Sequence, residues 1–371
     1  MSPSSRKSVK HRVASFISPH GFGHAARAAS IMAAMHEIDS SIRFEIFTKV
    51  PSWFFRDSLC GPFAYHSLLT DIGLMQKTPL REDLEKTLQC LNDFLPFDHA
   101  QISSLGQLIR GLKCELIICD IAPMGISVAK EAGIPSILVE NFTWDWIYQE
   151  YTSYDPRINE HVVYLRSIFD AAGHRVQAEP VCCYRVADLT TLPVSRKART
   201  PARQIRNELG LPQDSKVVTI TMGGIPEEYT FLKELTNQGD VHFVIPGGSH
   251  SVEIRDNVVL LPHHSDFFHP DLINASDAVV GKLGYSTLAE VYHTGLPFGY
   301  VSRPSFRESQ ILAAYVDNNM MGVAIEEAAF RAGSWISHLQ DLLSLPRIPR
   351  SGPNGAEQVA RFIHTLLNDK R

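Results

Sequence analysis

The 371 residues read as an α/β chain of two similar halves, each a parallel sheet wrapped by helices. Three observations predict this. Short β-rich runs alternate with helical patterns from the start of the chain. The strands are continuous apolar runs, as parallel strands covered on both faces are. The same alternation begins again after a polar stretch near residue 193.

In order, "RVASFIS" (residues 12–18) and "RFEIFTKV" (43–50) are strands, bracketing an alanine-rich helix from His24 to about Met35. "CELIICDIAP" is a strand, "MGISVAKEAG" a helix and "IPSILVENF" the next strand. "PVSRKARTPARQIRNELGLPQDSK" (193–216) is rich in Pro, Arg and Lys and reads as a linker. Beyond it come the strands "KVVTITMGG", "VHFVIPGG", "NVVLLPHH" and "DAVVGKLG". A helix then opens at "YSTLAEVYHTG", and "LPFGYVS" is the last strand. The expected domains are 1–192 and 193–350, with a C-terminal helix in 351–371 that packs back across the boundary.

With 44% hydrophobic and 20% charged residues, the composition is that of an ordinary globular protein. A formal net charge of −5 leaves no electrostatic footprint for nucleic acid. No apolar run approaches the length of a membrane span. None of the six cysteines forms a C-x-x-C pair, so a reduced, cytoplasmic protein is expected.

Three segments carry chemistry. In "PHGFGHAAR", Gly21 and Gly23 let the chain turn sharply between strand and helix, and His20 and His24 bring titratable rings to that turn. The bland alternative is that the glycines only turn the chain while the histidines cap the helix or face solvent. Asp120 ends the strand "LIICD", at the edge where parallel sheets gather function. It is either an N-cap for the next helix or the partner that fixes the tautomer of His24. "GKLGYSTLAEVYHTGLPFGYVSRPSFRESQ" (281–310) supplies phosphate-binding chemistry. Gly284, Ser286 and Thr287 sit at a helix start, Lys282, Arg303 and Arg307 are positive, and Glu290, Glu308 and Gln310 can accept or share sugar hydroxyls. Paired glycines, Gly223 and Gly224, end a strand nearby.

Three further clusters are weaker. "PHHSDFFHPD" offers His263, His264, Asp266 and His269, but adjacent strand residues point to opposite faces, so metal binding is not expected. Trp144 and Asp145 follow a strand where an acceptor pocket would lie. Trp53, Phe54 and Phe55 are core residues or an exposed patch for a membrane surface.

The first and third motifs resemble those of the two-domain GT-B glycosyltransferases that use nucleotide sugars. The wording is similar to the glycosyltransferase-like half of plant L-arabinokinases, where a G-F-G-H-A-x-R loop pairs with G-K-x-G-Y-G-T-x-x-E. The resemblance implies two Rossmann-like domains facing a cleft and an inverting transfer from a nucleotide-diphosphate sugar, most readily a UDP-sugar, to an unknown acceptor. No cofactor or metal is implied. His24 falls on the position of the base, Asp120 on its carboxylate partner and Glu290 on the ribose ligand. Glu308 and Gln310 fall on the donor-sugar contacts, and His264 edges the nucleotide base. The acceptor side is expected at Gly21, Gly23, Arg27, Trp144 and Asp145.

Two departures stand out. Ser286 occupies a position where glycine is usual, and nothing in the 371 residues resembles the Gly/Ser-rich ATP loop of the kinase half. The kinase reaction is therefore not carried over. A nucleotide-sugar epimerase and a non-catalytic nucleotide-sugar sensor are the rival readings. An epimerase would work without a second substrate. A sensor would not need both His24 and Asp120.

Overall fold

The computed structural model describes residues 9–78, 81–223, 229–303 and 306–369. Gly224 of the paired glycines and residues 304–305 of "PSFRESQ" lie outside them. The chain divides into two compact units. The first comprises Met1–Met75, Asp83–Val194 and Pro353–Arg371, and the second Gln76–Glu82 and Ser195–Gly352.

The first unit is built on seven strands: β1 (His11–Ile17), β2 (Ile42–Thr48), β3 (Phe63–Ser67), β6 (Leu116–Asp120), β7 (Ser136–Glu140), β8 (His174–Ala178) and β9 (Leu189–Thr191). Between β3 and β6 the chain makes the antiparallel hairpin β4 (Gln76–Thr78) and β5 (Arg81–Glu82), which belongs to the second unit. The sheet order is β3-β2-β1-β6-β7-β8-β9, all parallel. Phe16 and Phe47 stack at 4.6 Å on neighbouring strands, and each buried aromatic of this kind contributes about 1.5–3 kcal/mol.

The helix Gly23–Ile38 is buried almost all round, because its alanines let it lie close to the sheet. Its small residues also admit the C-terminal helix Gly355–Asn368, whose strong apolar stripe packs into the first unit. Gln358 accepts a hydrogen bond from the Leu192 amide at 2.9 Å, tying that helix to the end of β9. Phe54 and Phe55 are buried in this unit, as the core alternative of their sequence reading has it.

The second unit has β10 (Lys216–Thr221), β11 (Val241–Pro246), β12 (Glu253–Arg255), β13 (Val258–Leu261), β14 (Ala278–Lys282), β15 (Phe298–Val301) and β16 (Gly322–Ala324). Their order is β12-β13-β11-β10-β14-β15-β16, and only β12 runs antiparallel to its neighbour. In each sheet the strand succession reverses beside its central strand, at β1/β6 and at β10/β14. Open parallel sheets bind ligands at the strand ends beside such a reversal. Ile17 pairs with Asp120, Thr221 with Gly281, and Lys282 with Val301. Residues scattered through the sequence therefore meet at two sheet edges.

Candidate functional site

At the edge of the first sheet, Gly21 adopts φ +70°, a conformation that glycine accepts without the penalty a side chain would impose. The turn delivers His24 to the first turn of its helix, with 8% of the residue exposed. Its Nδ1 lies 2.9 Å from Asp120 Oδ1. Asp120 is fully buried and is not an N-cap, since the following helix is capped at Ala122. Ile121, the next residue, has φ +42°, which costs a β-branched residue about 1–3 kcal/mol.

Arg27, one helical turn beyond His24, grips the same carboxylate. Its Nε donates to Oδ2 at 2.8 Å and an Nη to Oδ1 at 2.7 Å, while its other Nη donates to Asn141 at 2.6 Å. Arg27 is 1% exposed, and its guanidinium is engaged by Asp120 and Asn141. Burial opposes ionisation of Asp120, but Arg27 and His24 outweigh it and hold the carboxyl below its ordinary range. An ionised Asp120 only accepts hydrogen bonds, so His24 Nδ1 carries a proton, and the neutral ring has its lone pair on Nε2. The Arg27 Nη at 3.3 Å from Nδ1 is a longer contact that does not compete.

His20 is held differently. Its Nδ1 faces the Leu74 amide at 3.4 Å, its ring meets Trp144 edge-on at 5.2 Å, and a Cβ on Gly73 would come within 2.7 Å of Nδ1. Trp144 and Asp145 are buried, Asp145 pairing with Arg166 at 3.3 Å. In this conformation neither exposes surface to solvent, Trp144 at 0% and Asp145 at 1%. Trp144 is the hub of the cluster, stacked on Tyr148 at 5.7 Å and 6.2 Å from the His24 ring.

Asp71 was not singled out by sequence. It is buried, accepts from Ser18 Oγ at 2.9 Å, and burial pushes its carboxyl up to about 8. Ser18 and Trp144 favour its ionised form, whereas Asp120 adds to the upward push. The segment "LLTDIG" carries no local pattern that marks this aspartate.

At the edge of the second sheet, Gly223 turns with φ +74°, its amide bonded to Thr221 Oγ1 at 3.3 Å. The stem of Lys282 lies alongside, 3.9 Å from where a Cβ on Gly223 would sit. The helix Tyr285–Thr294 starts after Gly284, whose N-cap position offers its first amides no side chain. Ser286 is half-buried and Thr287 buried in its first turn.

Glu290 is 3% exposed, and both its oxygens are engaged. Oε1 accepts from Arg196 at 3.0 and 3.1 Å, and Oε2 from His269 Nδ1 at 2.8 Å. Burial opposes ionisation of Glu290, but Arg196 and His269 prevail and lower its pKa. His269 Nε2 meets Thr221 Oγ1 at 3.3 Å, so this histidine belongs to the Glu290 cluster. His263 and His264 are exposed.

Arg303 and Glu308 are buried, Gln310 is exposed, and Arg307 is half-buried. Arg303 stands over the Phe306 ring at 3.8 Å, with Glu308 at 3.9 Å and Glu82 at 4.0 Å. Sequence reasoning missed Glu82 and Arg196, which carry no motif of their own.

This is the fold of GT-B glycosyltransferases, with two parallel-sheet α/β domains. The chain aligns with the solved glycotransferase of kitacinnamycin at a TM-score of 0.64 and 15% identity, covering 95% of this chain and 98% of that one. It also aligns with Medicago truncatula UGT71G1, solved in complex with UDP-glucose, at 0.60 and 12% identity, over 97% and 98% of the two chains. No family model matches.

Among curated proteins, the chain is 28% identical to the L-arabinokinase of Arabidopsis thaliana over 368 residues, 96% of this chain and 34% of that protein. The chain thus spans about a third of that relative's length. It is 24% identical to an uncharacterized glycosyltransferase of Methanopyrus kandleri over 289 residues, 73% of this chain and 81% of that one.

Proposed function

We propose that the protein is a glycosyltransferase that moves a sugar, with inversion, from a UDP-sugar to an acceptor nucleophile. The His24–Asp120 pair carries this reading: an imidazole held at 2.9 Å by a buried carboxylate, with its proton on Nδ1, is a base at Nε2. The fold supports sugar transfer, and the UDP-glucose bound to UGT71G1 favours a uridine donor.

In the proposed reaction, His24 Nε2 removes the acceptor's proton as its oxygen or nitrogen attacks the anomeric carbon. The glycosidic bond to the diphosphate breaks, and UDP leaves with the electron pair. Lys282, Arg303 and the amides at the start of helix Tyr285–Thr294 stabilise the negative charge that develops there. Glu290 takes the ribose hydroxyls by exchanging one of its present partners.

Incubation with a panel of nucleotide sugars and candidate acceptors, followed by mass spectrometry, tests the reading. Release of free nucleotide diphosphate together with a glycosylated acceptor is the expected result. Conversion of the donor into an isomer with no nucleotide released would establish an epimerase instead.

A further inference from the structure

The second unit brings together four ionisable side chains from four places in the chain. Lys282 ends β14, Arg303 follows β15, Glu308 lies in the first turn of helix Arg307–Asn319, and Glu82 ends the β4–β5 hairpin. Arg303 reaches one oxygen of each carboxylate, 4.0 Å to Glu82 and 3.9 Å to Glu308, with about 5% of each of these three side chains exposed. Lys282 is partly buried, its stem 3.9 Å from where a Cβ on Gly223 would sit, so its surroundings hydrate it poorly. With both carboxylates ionised and Lys282 neutral, the cluster carries one net negative charge. A diphosphate entering it meets repulsion unless the lysine is charged.

We propose that this cluster binds the donor's diphosphate together with one proton from solvent, Lys282 gaining the proton and Glu82 setting the pH at which it does so. The inference rests on the reading that UDP binds the second unit. Burial drives the Lys282 pKa down to about 7; Arg303 pushes the same way, and Glu308 and Glu82 oppose them. A diphosphate beside the ammonium reverses that balance, because an opposite charge within a few ångströms favours the charged form. Without ligand, the lysine is mostly neutral above pH 7, and binding must then draw a proton from solution. Affinity for UDP should accordingly fall about tenfold per pH unit above the midpoint.

Titration calorimetry with UDP at pH 8, in buffers of different ionisation enthalpy, counts the protons exchanged. The wild-type chain should take up close to one proton per UDP bound. Lys282→Arg, permanently charged, should bind UDP with that uptake abolished and a flat affinity between pH 7 and 9. Glu82→Gln removes one of the carboxylates that support the ammonium, so its uptake midpoint should move to lower pH; this arm tests the linkage even if the arginine variant folds poorly. UDP binding with no proton uptake, or with the same uptake in wild type and Lys282→Arg, overturns the proposal while leaving the donor reading intact. No UDP binding by the wild-type chain overturns the donor reading, and this proposal with it.

Discussion

Arg27 and His24 share one carboxylate: Asp120 Oδ1 lies 2.7 Å from an Arg27 Nη and 2.9 Å from His24 Nδ1. The guanidinium already balances the charge of Asp120, so fixing the ring and its tautomer is the larger part of what the carboxylate does. The neighbour His20 turns its Nδ1 to the backbone amide of Leu74, 3.4 Å away. His24→Ala should therefore lower kcat about 10²–10⁴-fold, the usual worth of a general base, with UDP affinity unchanged. Steady-state rates of His20→Ala and His24→Ala beside UDP calorimetry check this. A dead His20→Ala with a working His24→Ala would reverse the assignment.

Asp120→Asn has a second consequence. An amide has one acceptor oxygen where the carboxylate has two, so its NH2 must face either Arg27 Nε or the side shared by Arg27 Nη and His24 Nδ1, and it leaves a guanidinium buried without its counter-charge. Breaking a buried pair in this way costs about 3–5 kcal/mol, a drop in Tm on the order of 10 °C. Turnover should fall as well, because the amide can donate to Nδ1 and force the proton onto Nε2. The double change Asp120→Asn with Arg27→Met separates the effects: thermal stability should largely return while turnover stays low. Turnover that recovers along with Tm removes the orienting role.

Much of this was legible in the sequence, for local reasons. Continuous apolar runs between helical patterns can only be buried parallel strands, and the glycines and polar residues at their ends mark the edges where Gly21, His24, Asp120, Gly223 and Lys282 appear. What was not legible depends on pairs far apart in the chain. The sequence marks Arg27 as an acceptor-side residue, and nothing local shows that a carboxylate 93 residues away takes its charge. Trp144 has the composition of a sugar-stacking residue, and only tertiary packing against Tyr148 and His20 shows it to be buried. Glu82 sits in the N-terminal half of the sequence yet belongs to the second unit. Asp71 needs the burial around it, which no local pattern encodes.

Glu290 is engaged before any ligand arrives, which shapes what its removal does. Glu290→Ala should weaken UDP binding about 10- to 150-fold, the loss of about 1.5–3 kcal/mol from a charged hydrogen bond. Arg196→Ala removes a competitor for Oε1 and should leave UDP binding as strong or stronger, although the buried carboxylate then costs stability. Calorimetry on both variants, with melting curves to confirm folding, decides the point. Unchanged UDP affinity in a folded Glu290→Ala takes this residue out of the donor site and leaves it a tether for Arg196.

Asp71 gives the chain a pH dependence of predictable sign. Its carboxyl titrates at about 8 in the folded protein against an ordinary value of 3.8, so between those values the folded state holds a proton that the unfolded chain has lost. Stability from this group is then complete below about pH 4 and falls as pH rises, by about 1.4 kcal/mol per unit, until the folded form also ionises near pH 8. Asp71→Asn keeps an acceptor for Ser18 but cannot ionise. The variant should melt above the wild type at pH 8, and the gap should narrow steadily toward pH 4. Parallel melting curves for the two proteins from pH 4 to 8 would show instead that Asp71 is ionised in the folded state, with its charge balanced by groups other than Ser18.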